Sequence, residues 1–306
     1  MKKVIWILVV IALGLLIWLG CRYYNLSNKV NGYVLFEINP SVELGVNYYG
    51  EVLEVVSVNE DADILTSDLD LVGLTIDDAT DKIISSAIET GYINELEDDN
   101  AVVVTSLFED EEKRIEYEKY VIEKVDSCLE DKKVYALVAA QGVDEEIKAE
   151  AESYDISYGK MLLVNRLVEA DSTLNKSELV DETVQSIQNK FKEEVQNRYE
   201  EATMTQEQLK EQWQVEKQKK IEEHTSVMEQ KKEVIWEEIK GNFGDVSNEE
   251  KSNIVNGIIE QEKIQIKEGF EVIKEEIISE KPGSKVNYPV IETGNKADRE
   301  IQSRKK

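Results

Sequence analysis

One dipeptide in this 306-residue chain offers covalent chemistry without any partner: Asn39-Pro40. The Asn39 side-chain nitrogen can attack its own carbonyl carbon, closing a succinimide and expelling the Pro40 nitrogen. A turn that keeps those atoms in contact would replace a costly encounter. Donors near the carbonyl oxygen would stabilise the tetrahedral intermediate. Asn-Pro is also ordinary turn punctuation, and the pair taken alone favours that plainer reading. Other constellations are weaker. The single His, His224, sits in the charged helical run IEEHTSVMEQ with no Ser or Cys at triad spacing, and reads as a solvated helix position. The acidic pairs Glu37/Glu43, Asp68/Asp70 and Asp77/Asp78 bring a glycosidase or a calcium loop to mind. No D-x-D-x-D-G run accompanies them, and 64 Asp+Glu make such pairs inevitable by chance. No glycine-rich phosphate loop is present. Two Cys and one His exclude a zinc finger, a ferredoxin cluster and a disulfide framework, so neither metal nor cofactor is expected. A net charge of −28, from 36 basic and 64 acidic residues, argues against nucleic acid as a partner.

The elements that must position Asn39 and Pro40 are strands. Gly32–Ile38 and Val42–Val46 are β-branched, aromatic-rich and partly alternating, which puts the pair in a first hairpin. Asn47-Tyr48-Tyr49-Gly50 turns the chain into a third strand, Val52–Val58. Thr75-x-x-Asp78 opens a helix with Ala79, Ile83, Ile84, Ala87 and Ile88 on one face, and Gly91 stops it. Ala101–Ser106 and Val134–Ala139 read as strands, with helices over Glu109–Leu129 and Ser157–Ala170 and a short helical piece near Ser177. The order predicts an α+β domain over 31–182, with an antiparallel-rich sheet and helices on one face. Cys128 then reads as a buried small hydrophobe on a helix.

The flanks are different in kind. Val4–Cys21 is 18 residues without a charge; a helix of that length covers about 27 Å, close to a hydrocarbon core. An uncleaved transmembrane helix over 4–21 fits better than a cleaved signal peptide, because Trp18-Leu19-Gly20-Cys21 is a poor cleavage signal, and the same residues fit a lipoprotein box at Cys21 badly. With residues 1–3 as a cytoplasmic tail and 22–30 as a linker, the bulk of the chain would lie outside the cell, in a single-pass membrane protein. From Thr183 glycine disappears until Gly241, and a sparse apolar stripe (Val184, Ile187, Phe191, Val195, Tyr199, then Leu209, Trp213, Ile221) runs among Lys, Glu and Gln. Gly241–Gly244 breaks it, and Ser247-Asn248-Glu249-Glu250 is a capping box that opens a further helix through Ile277. Residues 183–280 are expected to form a long helical hairpin, with one strand of a coiled coil as the alternative. The tail over 281–306 is expected to be disordered.

The run GYVLFEINPSVELGVNYYGEVLEVVSVNEDADILTSDLDLVGLTIDDATDKIISSAIETGYI, with ISYGKMLLVNRLVEADSTLNKSELVDETVQSI further on, resembles the extracytoplasmic middle domain of RsgI-type membrane anti-sigma factors. The likeness covers about half the chain and includes EINPSVEL, GVNYYG and SYGKMLL. It implies self-cleavage at the bond between Asn39 and Pro40, with the fragments joined by strand pairing. It also implies an intramembrane protease and an envelope protein as partners in signalling. Family members carry a cytoplasmic anti-sigma domain before the span, whereas Met1–Lys3 offers nothing that could bind a sigma factor. The C-terminal region lacks the aromatic platform of the family's sugar-binding modules, so polysaccharide sensing is not expected. The self-cleavage would be single-turnover, not enzymatic. The rival reading is a non-catalytic, membrane-anchored interaction protein that captures a wall or membrane partner through its helical region.

Overall fold

The computed structural model describes residues 2–140, 145–200, 205–243 and 247–279. The expected tail over 281–306 and residues 244–246 lie outside the described residues, while Gly241, Asn242 and Phe243, expected to break the helix, still belong to it. Helix α1 (Lys2–Ser27) leads into strands β1 (Gly32–Glu37), β2 (Ser41–Val46) and β3 (Val52–Ser57). Helices α2 (Glu60–Thr66) and α3 (Ile76–Glu89) follow, then β4 (Ala101–Phe108), α4 (Glu111–Asp131) and β5 (Leu137–Ala140). The remaining helices are α5 (Glu145–Ser153), α6 (Tyr158–Ala170), α7 (Lys176–Leu179), α8 (Val184–Glu200), α9 (Gln206–Phe243) and α10 (Asn248–Ser279).

The sheet order is β3-β2-β1-β4-β5. All pairs are antiparallel except β4–β5, where α4 serves as the crossover. The α+β class with an antiparallel-rich sheet is therefore as expected. The helices, expected on one face, occupy both. Strand alternation explains this, because successive side chains point to opposite sides. Val34, Phe36, Val42, Leu44, Val102 and Val104 meet Ile83, Ile84, Val121, Ile122 and Val125 on one side. Tyr33 and Leu107 meet Met161, Leu163, Leu167 and Ile187 on the other. The second layer was missed because α6 and α8 come after the last strand, with nothing local to assign them to a face.

Local signals hold the elements as expected. Thr75 Oγ1 accepts from the Asp78 amide at 3.2 Å and caps α3, which ends before Gly91 at φ 74°. Ser247 and Glu250 bond reciprocally at the start of α10. Cys128 is buried on α4. Near their junction α9 and α10 pack Ile239 and Trp236 against Val255 and Ile259. Most of α9 lies against the domain: Lys217 is buried, with its ammonium on the Leu65 carbonyl at 2.8 Å and on Asp68. It thus neutralises the carbonyl end of α2.

Helix α1 passes Cys21 and continues through Arg22 to Ser27. Of its described apolar side chains, Trp6, Val10, Leu13, Ile17 and Trp18 are all exposed. That pattern suits hydrocarbon rather than water, and the helix is long and apolar enough to cross a membrane.

Candidate self-cleavage hairpin

The hairpin is built by the register of β1 and β2. Glu37 pairs with Ser41, which leaves Ile38, Asn39 and Pro40 as a three-residue connection. The Ile38 amide donates to the Pro40 carbonyl at 2.8 Å and closes it. Asn39 stands at the tip in the left-handed region, φ 58°, a conformation that Asn tolerates better than other non-glycine residues. Its neighbours Ile38 and Pro40 are buried while Asn39 is exposed. Buried flanks and the closing bond fix the backbone; the Asn39 side chain has no hydrogen bond among the described residues. On the downstream side, Ser41 is tied to the N-cap of α2. Its amide donates to Asn59 Oδ1 at 3.3 Å and its carbonyl accepts from Val58 at 2.9 Å.

Proline narrows the chemistry available here. A following residue with an N–H can attack the Asn side chain and deamidate it; Pro40 has no N–H, so that route is closed. Attack by Asn39 Nδ2 on the Asn39 carbonyl remains. Such an attack would form the Nδ2–C bond, break the C–N bond to Pro40, and move the proton lost by Nδ2 to the departing proline nitrogen. The succinimide would then open with water.

Strand β1 is the centre of the sheet. It pairs over Gly32–Glu37 with β2 on one side and β4 on the other, and Tyr33, Val34, Leu35 and Phe36 are at most 1% exposed. Each such side chain contributes roughly 1.5–3 kcal/mol by burial.

Beside the hairpin, on the face covered by α6 and α8, lies a group of buried charges that sequence reasoning passed over. Glu43, discounted as half of a chance pair, is completely buried. Gln188 of α8 donates to it, and Arg166 of α6 stands 3.6 Å away. Lys192 pairs with Glu54 on β3. Burial pushes the Glu43 carboxyl up to about 7, with Arg166 opposing. Glu37 is raised by burial in the same way. The separation of 145 positions between Glu43 and Gln188 leaves no local signal of this contact. His224, read as solvated, is instead largely covered: its Nε2 lies 2.9 Å from Glu95 and its ring sits against Gly91. A helix flanked by charges can still be docked by one face.

An apolar helix entering a two-sided sheet through its central strand defines a helix-led α+β domain. Residues 31–166 match the family described as the anti-sigma factor RsgI-like central domain. The chain is 29% identical over 164 residues to anti-sigma-I factor RsgI7 of Acetivibrio thermocellus, covering 54% of this chain and 29% of that protein. It is 30% identical over 166 residues to RsgI5 of the same organism, covering 52% and 34%. With RsgI of Bacillus subtilis the identity is 25% over 140 residues, covering 45% and 36%. The matched part thus spans about a third of these relatives' lengths.

Proposed function

We propose that the chain is a single-pass envelope signalling protein, anchored by α1 with its bulk outside the cell, that severs itself once at Asn39–Pro40. The observation that carries this reading is the position of the bond: a left-handed Asn at the tip of a hairpin whose first strand is the centre of the sheet. Scission there divides the chain into α1–β1 and the rest. The two ladders of β1 and its buried side chains hold the pieces together. Loss of the larger piece would leave a short membrane stub, the form an intramembrane protease takes, in response to an envelope partner. Asn39→Ala removes the nucleophile. Full-length protein in detergent should run as two bands on a denaturing gel, with masses that sum to the intact chain plus one water. The Asn39→Ala protein should run as one. A wild-type chain that stays intact and indistinguishable from Asn39→Ala overturns the reading.

A second reading has its own support. Val215, Val227 and Val234 of α9 and Ile264, Val272 and Ile273 of α10 are exposed, so the helical region offers apolar side chains to a protein partner. An uncleaved ectodomain that still captures a wall or membrane protein through residues 205–279 would favour this non-catalytic role.

A further inference from the structure

Among the described residues, helix α1 is hydrogen-bonded to the domain at the β2–β3 turn. Asn47 is fully buried there; its side-chain amide donates to the Ser27 carbonyl at 2.9 Å, and the Tyr48 amide donates to the Leu26 carbonyl at 3.2 Å. Carbonyls at a helix end need such partners, and here the domain supplies them. The Tyr23 ring, on the last turns of α1, stands 5.5 Å from that of Tyr49, which stands 5.5 Å from Tyr48.

A cleft of about 740 Å³ opens directly from this joint. Its walls carry Tyr48 and Tyr49 from the turn and Tyr117 and Tyr120 from α4. Tyr48, Tyr49 and Tyr120 are each about half exposed, at 46%, 50% and 48%. The cleft is also lined by the carboxylates Asp77, Glu116 and Glu123 and by Lys113, whose ammonium lies 4.7 Å from the Tyr48 ring centre. The Tyr120 hydroxyl donates to Asp77 at 2.7 Å, and this bond pushes the phenol up to about 12, so it stays a donor. Gly50 at φ 80° keeps the floor open: a Cβ there would meet the Tyr117 hydroxyl at 2.8 Å.

Electron-rich ring faces beside carboxylates attract an ammonium group, and a neighbouring lysine attracts a phosphate. The two charges of a zwitterionic phospholipid headgroup have that arrangement. Tyrosine is also the side chain that collects at membrane–water boundaries, and this cleft begins where α1 ends. We propose that the cleft seats zwitterionic phospholipid headgroups of the bilayer that α1 spans, with the ammonium on the tyrosine rings and the phosphate at Lys113. This rests on the reading of α1 as a membrane span.

The test uses the full chain in nanodiscs of phosphatidylethanolamine and phosphatidylglycerol. One set carries a photoreactive group on the ethanolamine headgroup, the other on the acyl chain, and adducts are mapped by peptide mass spectrometry. Headgroup adducts are expected on residues 47–50 and 113–123, with acyl adducts on α1. A Tyr48→Ser/Tyr120→Ser variant should lose at least fivefold of the cleft adducts and keep the acyl adducts, while Tyr120→Phe, which retains the ring, keeps both. Acyl adducts on α1 with no headgroup adduct in the cleft overturn the headgroup seat and leave the span intact. Cleft adducts without acyl adducts on α1, or neither, overturn the span and the seat together.

Discussion

The two faces of the sheet are built on opposite principles. Toward α3 and α4 the strands present Val34, Phe36, Leu44 and Val104, none more than 0% exposed, against aliphatic side chains. Toward α6 and α8 the same strands present Tyr33 and Leu107, and beside them Glu37, Glu43 and Glu54, with Arg166, Gln188 and Lys192 facing them. A dry face stabilises in proportion to its buried area and is indifferent to small rotations. A face with buried charges contributes less and demands alignment, because each group needs its own partner. The dry face accounts for the domain's holding together. The charged face accounts for α8 lying where it does.

Breaking the dry face should have the largest effect. Phe36→Ala should cost about 3–5 kcal/mol in denaturant unfolding, because the central strand has no room to collapse around the gap. Breaking the charged face should cost less: Arg166→Ala leaves Glu43 buried without its cation and should lose about 2–4 kcal/mol, discounted because Arg166 is partly exposed. That loss should be larger at pH 8 than at pH 5, and a Glu43→Leu/Arg166→Leu protein should recover part of it. The smallest change sharpens the contrast through pH. A carboxyl whose folded pKa lies above its unfolded value favours folding below the unfolded value, and that contribution is lost as pH rises through the folded one. For Glu43 the window runs from the ordinary carboxylate range to about 7. Stability should therefore fall across it by up to about 3 kcal/mol. Glu37, also raised by burial, acts in the same direction. Glu43→Gln should flatten the profile measurably; an unchanged slope would show that the charged face is hydrated.

Much of the dry face was legible in the sequence. Its strands alternate, its helices α3 and α4 carry stripes at helical spacing, and Thr75 and Gly91 bound α3 with side-chain and backbone chemistry that acts over three residues. The expected strand Val134–Ala139 shortens to Leu137–Ala140, since Val134 and Ala136 pack into the core before pairing begins. The charged face was not legible, for a physical reason. Buried polar groups announce themselves only through partners, and those of Glu43 come from α6 and α8, far along the chain. Asn39 and Pro40 were found because their chemistry is local, but the left-handed backbone at Asn39 follows from a register that the whole hairpin sets. Helix α2 went unread because its seven residues are too few to show a period.

The continuity of α1 into the joint at Asn47 has a geometric consequence. A helix advances about 1.5 Å and turns about 100° per residue. With Ser27 and Leu26 bonded to the β2–β3 turn, α1 sets the compass bearing of the domain about the helix axis as well as its distance along it. One residue added between Leu19 and Tyr24 would barely lift the domain but would swing the β1–β2 tip by more than a quarter turn. Seven, close to two whole turns, would return it to nearly its original bearing. Helix α1 therefore works as a keyed shaft, and its length in residues is part of the domain's address.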